Sequence, residues 1–261
     1  MQPNIFQVIL PLFIIIILLA ALWRIGLRKL KTYRSPILGK IEVSQKFNGE
    51  KILTTNDYIQ GISIGREDVK HSYWYAVAKE AADFCKKTKN PEVLMLGLGA
   101  NTIPNLIAEI NPSIHQTIVE IDGVIIEACR KFFKLDDLPN SNLIKADAFK
   151  LFSEKDAFDK KLNVIIVDIF LGAPPYVSID SNQPGFIVKL LPYLKSDGMI
   201  IFNRPGHTGQ VRSESEVLQN YLSSLFKKTA TYDIKDPRGF RNTIITSQER
   251  RQKPSGGQKL K

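Results

Sequence analysis

A chain of 261 residues, 44% hydrophobic and 24% charged, can form one large domain with appendages and has an ordinary globular composition. Its formal charge of +10 is concentrated at the ends: residues 24–34 hold Arg24, Arg28, Lys29, Lys31 and Arg34 with no acid, and residues 248–261 hold five cations against Glu249. The near-neutral body excludes a nucleic-acid-binding surface, and two cysteines with three scattered histidines give no metal-ligand spacing, so no metal and no nucleic acid is expected.

From Ile5 to Trp23 the chain carries no charge. Nineteen helical residues span ~28 Å, close to the roughly 30 Å of a bilayer core. The cationic cluster follows at once, and no Lys or Arg precedes the apolar run, so a single transmembrane anchor is expected rather than a cleaved signal peptide. The positive-inside rule then gives a single-pass protein of the cell membrane with a cytoplasmic C-terminal domain. Arg24, Arg28, Lys29, Lys31 and Arg34 are expected to contact anionic lipids.

Residues 35–66 alternate in short β-like runs, with Asn48-Gly49 as a hairpin signal between Ile41–Val43 and Ile52–Leu53. A small antiparallel sheet is expected there. Helical spacing begins near Glu67, where Trp74, Val77, Ala78, Ala81, Phe84 and Cys85 share a stripe. Strands and helices then alternate. Strands are expected at Val93–Leu98, Gln116–Ile121, Asn142–Ala146, Asn163–Phe170 and Met199–Asn203, and a closing pair at Thr229–Ile234 and Phe240–Ser247. The order predicts an α/β fold over residues 67–247: a Rossmann-like, seven-stranded methyltransferase-type sheet with a closing antiparallel hairpin. The tail at 248–261 reads as disordered. Cys85 and Cys129 sit in apolar helical patterns, which predicts free thiols in a reducing compartment.

Ligands of such sheets bind beyond the carboxyl ends of the strands. Gly97 and Gly99 permit a sharp turn and a close backbone approach. Glu120 ends the second strand 21 residues after Gly99, where a carboxylate can accept from a ribose diol. Asp147 follows the third strand, placed for an adenine amino group or for a helix N-cap. Asp168 ends the most apolar strand, at the centre of the cleft. Thr102 stands where a dinucleotide fingerprint has its third glycine, which argues against a dehydrogenase.

The segments "ILGKIEVSQKFNGEKILTTNDYIQG", "SYWYA", "VLMLGLGANT", "VEID", "ADAF", "VIIVD" and "LKSDGMIIFN" resemble, in that order, the spermidine synthase-like family of polyamine aminopropyltransferases over residues 37–246. The resemblance implies propylamine transfer from decarboxylated S-adenosylmethionine to an amine, and a homodimer. It implies Gln60 as a cofactor contact, Tyr73 as a substrate-site residue and Asp168 as the base for the acceptor amine. Glu120 would hold the ribose and Asp147 the adenine. Three positions depart from the family pattern. Ala100 replaces the first-turn aspartate that meets the donor's ammonium, Leu171 replaces the second acceptor-site acid, and Trp74 replaces a Gln or His. Trp74 lies on the apolar stripe and is expected in the core, with Tyr73 or Tyr75 facing the pocket. Loop 171–180 and His207 are candidates for the acceptor side. Two alternatives stand beside this reading. One is an S-adenosylmethionine-dependent methyltransferase that uses Ala100-Asn101 to admit the methionine tail. The other is a non-catalytic membrane-tethered scaffold with a closed or distorted pocket.

Overall fold

The computed structural model describes residues 9–11, 13–17, 26–65, 67–154, 158–170, 183–206, 209–239 and 241–251. Most of the apolar segment expected to span a membrane lies outside these residues, as do Arg24, loop 171–180, His207 and the end of the tail. Among the described residues, no helix is long and apolar enough to cross a membrane. The described parts of the first segment, 9–11 and 13–17, are helical, with Ile9, Leu10 and Phe13 to Ile17 exposed.

Two sheets build the rest. The first is a four-stranded antiparallel meander of β1 (Leu27–Ser35), β2 (Gly39–Lys46), β3 (Lys51–Thr55) and β4 (Tyr58–Ile62). It starts eight residues before the position 35 read from the sequence, because the cationic stretch beyond Gly26 is itself a strand. Arg28, Lys29, Lys31 and Arg34 stand exposed on this edge strand, and Lys29 pairs with Glu42 at 2.8 Å. Charged edges of this kind resist strand-to-strand aggregation.

A 3-10 turn (Glu67–His71) leads into α1 (Tyr73–Cys85). The second sheet then alternates with helices: β5 (Glu92–Leu96), α2 (Thr102–Ile110), β6 (His115–Glu120), α3 (Gly123–Phe132), β7 (Ser141–Lys145), α4 (Ala148–Leu151), β8 (Leu162–Val167), α5 (Pro184–Leu190), β9 (Leu194–Pro205), α6 (Gly209–Leu225), β10 (Phe226–Lys235) and β11 (Arg241–Arg250). Its strand order is β10-β11-β9-β8-β5-β6-β7, with β11 antiparallel to both neighbours and the five central and far strands parallel. This is the α/β methyltransferase-like arrangement. The last strand runs to Arg250, three residues into the tail read as disordered.

The apolar runs of the parallel strands follow from burial on two faces. Val93 and Met95 of β5 point into one core with Trp74, Val77, Ile103 and Ile107. Leu94 and Leu96 point into the other, with Phe152, Phe186, Ile187 and Leu222. The small sheet joins the first core through Ile41, Val43, Leu53 and Ile62. Cys85 and Cys129 are free and buried.

Candidate functional site

The order of the large sheet reverses at β5, whose neighbours β6 and β8 lead outward in opposite directions. The chain turns there at Gly97 (φ +90°) and Gly99 (φ +55°), a conformation that disfavours side chains. Space demands the glycines as well. A Cβ on Gly97 would lie 2.3 Å from the Asp168 carbonyl oxygen, and one on Gly99 would lie 2.6 Å from the Gln60 carbonyl oxygen. The turn thus brings the end of β8 and the last strand of the small sheet onto one ligand-facing loop.

Glu120 closes β6 and grips this turn. Its Oε2 accepts from Leu98 N at 2.9 Å and its Oε1 accepts from Asp122 N at 2.8 Å. Each oxygen keeps a second lone pair for a ligand hydroxyl. Burial pushes the carboxyl's pKa up, and the two backbone donors oppose that shift. Asp122 caps α3 through Val124 N (2.8 Å) and accepts from the Ser35 hydroxyl, which ties β1 to the α/β half. Cys129 Sγ donates to Gly99 O at 3.1 Å from behind the turn.

Asp147 caps α4, accepting from Phe149 N at 2.9 Å through Oδ1. Asp168 follows β8, its N–H bound to Leu96 O at 3.0 Å and its Oδ1 accepting from Asn203 Nδ2 at 2.7 Å. Burial raises its pKa to about 6, and the Asn203 bond opposes that rise.

A cavity of about 700 Å³ opens at these strand ends. Gln60, Tyr73, Gly97, Gly99, Glu120, Asp147 and Asp168, all singled out in the sequence, border it together. Apolar walls come from Leu38, Ile121, Ile125, Phe149, Phe170 and Phe186. The size and lining suit a nucleoside between apolar faces, with carboxylates for its diol and amino group.

Other expectations change here. Ala100 and Asn101 do not border the cavity. Ala100 is buried against Gly61, where a Cβ would meet its own at 2.6 Å. The Asn101 amide donates instead to Phe133 O at 3.1 Å, and the residue is fully buried away from the cavity, so it does not face a methionine tail. Trp74 is 2% exposed and belongs to the core, while its neighbour Tyr73 reaches the cavity. Tyr75 does not border it. Among the described residues, no group of acidic, histidine or cysteine side chains is placed to hold a metal.

Sequence reasoning missed Asn203, Asn242, Lys150 and Lys189. Asn203 had a readable signal, since it closes the strand Met199–Asn203 read from the sequence. Asn242 had none, because its partner is 39 positions away.

The fold and cavity define an α/β methyltransferase-like protein with three acids around one cavity at its strand ends. The family model of the spermine/spermidine synthase domain matches residues 79–249, and the chain belongs to that family. The polyamine aminopropyltransferase of Vibrio vulnificus is 24% identical over 178 residues, covering 68% of this chain and 57% of its own length. The chain therefore spans a little over half of that relative. Among solved structures, a probable spermidine synthase from Corynebacterium glutamicum aligns with a TM-score of 0.69 at 18% identity, covering 84% of this chain and 79% of the other. A spermidine synthase from Thermotoga maritima aligns at 0.63 with 16% identity, over 85% and 73% of the two chains. A spermidine synthase in complex with the transition-state analogue AdoDATO aligns at 0.65 with 17% identity, over 85% and 74%. At these identities the structural likeness speaks for the fold.

Proposed function

We propose that this protein is an aminopropyltransferase that moves the propylamine group of decarboxylated S-adenosylmethionine to an amine. The observation that carries the reading is the meeting of Gln60, Tyr73, Glu120, Asp147 and Asp168 around one cavity, in a chain of the spermine/spermidine synthase family. Glu120 holds the ribose, Asp147 the adenine, and Gln60 and Tyr73 border the reacting end. Asp168 takes a proton from the acceptor ammonium. The freed amine lone pair then attacks the carbon bonded to positive sulfur, the carbon–sulfur bond breaks, and a neutral thioether leaves. Such a displacement needs alignment and a deprotonated nucleophile more than charge stabilisation of the leaving group.

The decarboxylated donor is favoured over S-adenosylmethionine because Asn101, the residue expected to meet a methionine tail, is buried outside the cavity with its amide turned to Phe133 O. A scaffold with a relic pocket is disfavoured by the open cavity. Ile169 and Phe170, which follow Asp168 in the chain and border the cavity, are apolar, which supports an acceptor with one ammonium at the base and an uncharged body. The test mixes the full chain with decarboxylated donor and butylamine, putrescine, cadaverine or spermidine, and reads 5′-methylthioadenosine release. Turnover with butylamine at least equal to putrescine is expected. Release with none of the four amines overturns the assignment.

We also propose a membrane location through Ile5–Trp23, with the exposed cations of β1 beginning at Arg28, five residues beyond Trp23. Retention in the membrane pellet after alkaline carbonate washing is expected. Complete release into the supernatant overturns this part and leaves the reaction untouched.

A further inference from the structure

Asp168 is held from behind by two amides in series. Asp168 follows β8, Asn203 lies in β9 and Asn242 lies in β11, three neighbouring strands of the sheet. Asn203 Nδ2 donates to Asp168 Oδ1 at 2.7 Å, and Asn242 Nδ2 donates to Asn203 Oδ1 at 2.9 Å. Both asparagines are almost fully buried, at 3% and 4% exposure, in a sheet face otherwise filled by Ile166, Ile201 and Ile244. Two polar side chains in an apolar layer are costly unless each is paired.

An amide presents an acceptor on one side and donors on the other. Because Asn242 donates to Asn203 Oδ1, the Asn203 amide must turn its N–H toward Asp168. The opposite orientation would set a carbonyl oxygen against the carboxylate, and only a protonated Asp168 would satisfy it. One lone pair of Oδ1 is thereby committed to Asn203.

We propose that Asn203 and Asn242 form a directional amide relay that orients Asp168 and keeps it an ionised acceptor, with Asn242 acting as a positioning residue from outside the cavity. The consequence for turnover rests on the reading of Asp168 as the base; the relay itself does not. Burial raises the proton affinity of Asp168, and the Asn203 N–H lowers it. Among the described residues, the titratable side chains sharing its cavity are Tyr73, Glu120, Asp147, Lys150 and Lys189.

The relay makes an ordered prediction for the Asp168 titration midpoint. It can be followed by carbon NMR of the full chain carrying carboxyl-labelled aspartate, with Asp168→Asn assigning the signal. The wild-type midpoint is expected near 6. Asn242→Leu leaves Asn203 free to rotate and raises the midpoint by up to about one unit, the size of one lost hydrogen bond. Asn242→Asp raises it further, because the new carboxylate claims the Asn203 N–H and turns its oxygen toward Asp168. Asn203→Leu also raises it. A purely structural role would lower the melting temperature of these variants and leave the midpoint in place. That outcome in Asn242→Asp and Asn203→Leu overturns the relay. If Asn242→Asp does not fold, Asn242→Leu and Asn203→Ser make the same comparison. The titration needs no turnover, so it separates the two claims. Shifted midpoints in a chain that transfers nothing remove the proposed reaction and keep the relay. Unmoved midpoints in an active enzyme do the reverse. In an active enzyme, the acid limb of kcat should move with the midpoint while KM for the donor holds.

Discussion

Thr102 Oγ1 donates to Ile62 O at 2.7 Å and accepts from Ile62 N at 3.0 Å, so one hydroxyl satisfies both backbone groups of a residue 40 positions earlier. The contact fastens the end of β4 to the first turn of α2. It explains why the third position of the glycine motif carries a threonine: the small sheet approaches there, and Gly61 already gives up its side chain to let Ala100 in. Thr102→Val leaves a buried N–H and C=O unpaired and should cost about 1–3 kcal/mol, read by urea denaturation. Donor affinity should fall too, since Gln60 lies two residues from the latch. Unchanged stability would mean that water replaces the hydroxyl.

Asp168 links activity and stability with opposite signs. Its folded pKa of about 6 lies above its ordinary 3.8, so the base is ionised above pH 6 and transfer should fall about tenfold per unit below it. The native state holds the extra proton between those two values, so this group's contribution to stability declines as pH rises through that window. Asp168→Asn should cut transfer by roughly 10²–10⁴-fold. It should also melt above wild type at pH 8, with the difference closing near pH 4, in parallel calorimetric scans. A variant that melts lower at pH 8 would refute the burial cost assigned to this carboxylate.

Glu120 works as a two-sided acceptor, so its charge-neutral analogue is not conservative. In Glu120→Gln one of the two backbone donors, Leu98 N or Asp122 N, must face an amide N–H. Donor affinity should drop roughly 10- to 100-fold, measured by titration calorimetry, through loss of a charge-assisted bond of about 1.5–3 kcal/mol. Equal affinity would place the ribose elsewhere.

Gly97→Ala tests the packing of β5 against β8. The added Cβ meets the Asp168 carbonyl at 2.3 Å, in a conformation that disfavours a side chain. A loss of about 2–4 kcal/mol is expected, together with a displaced Asp168. The readout is denaturant midpoint plus transfer rate. Gly49→Ala is the control: its φ is also positive, but nothing lies within 4 Å, so it should show backbone strain alone.

The local pattern of the chain was enough to determine the alternating strands, the hairpin at Asn48-Gly49, the burial of Trp74 and the site candidates at the strand ends. These depend on periodicity, turn chemistry and the run of Val and Ile before Asp168, which neighbouring residues carry by themselves. Tertiary structure alone decided what those residues meet. The cationic stretch at 24–34 reads as a lipid-facing segment, yet from Leu27 onward it pairs as a strand with β2, because strand pairing depends on a partner and not on local charge. Asn101 reads as a spare polar group for a cofactor tail, but it is buried outside the cavity with its amide turned to the Phe133 carbonyl. The Asn242–Asn203–Asp168 line joins residues spread over 74 positions, and hydrogen bonds between adjacent strands leave no trace in local spacing. Which groups are already satisfied, and which remain for a ligand, is a property of packed neighbours.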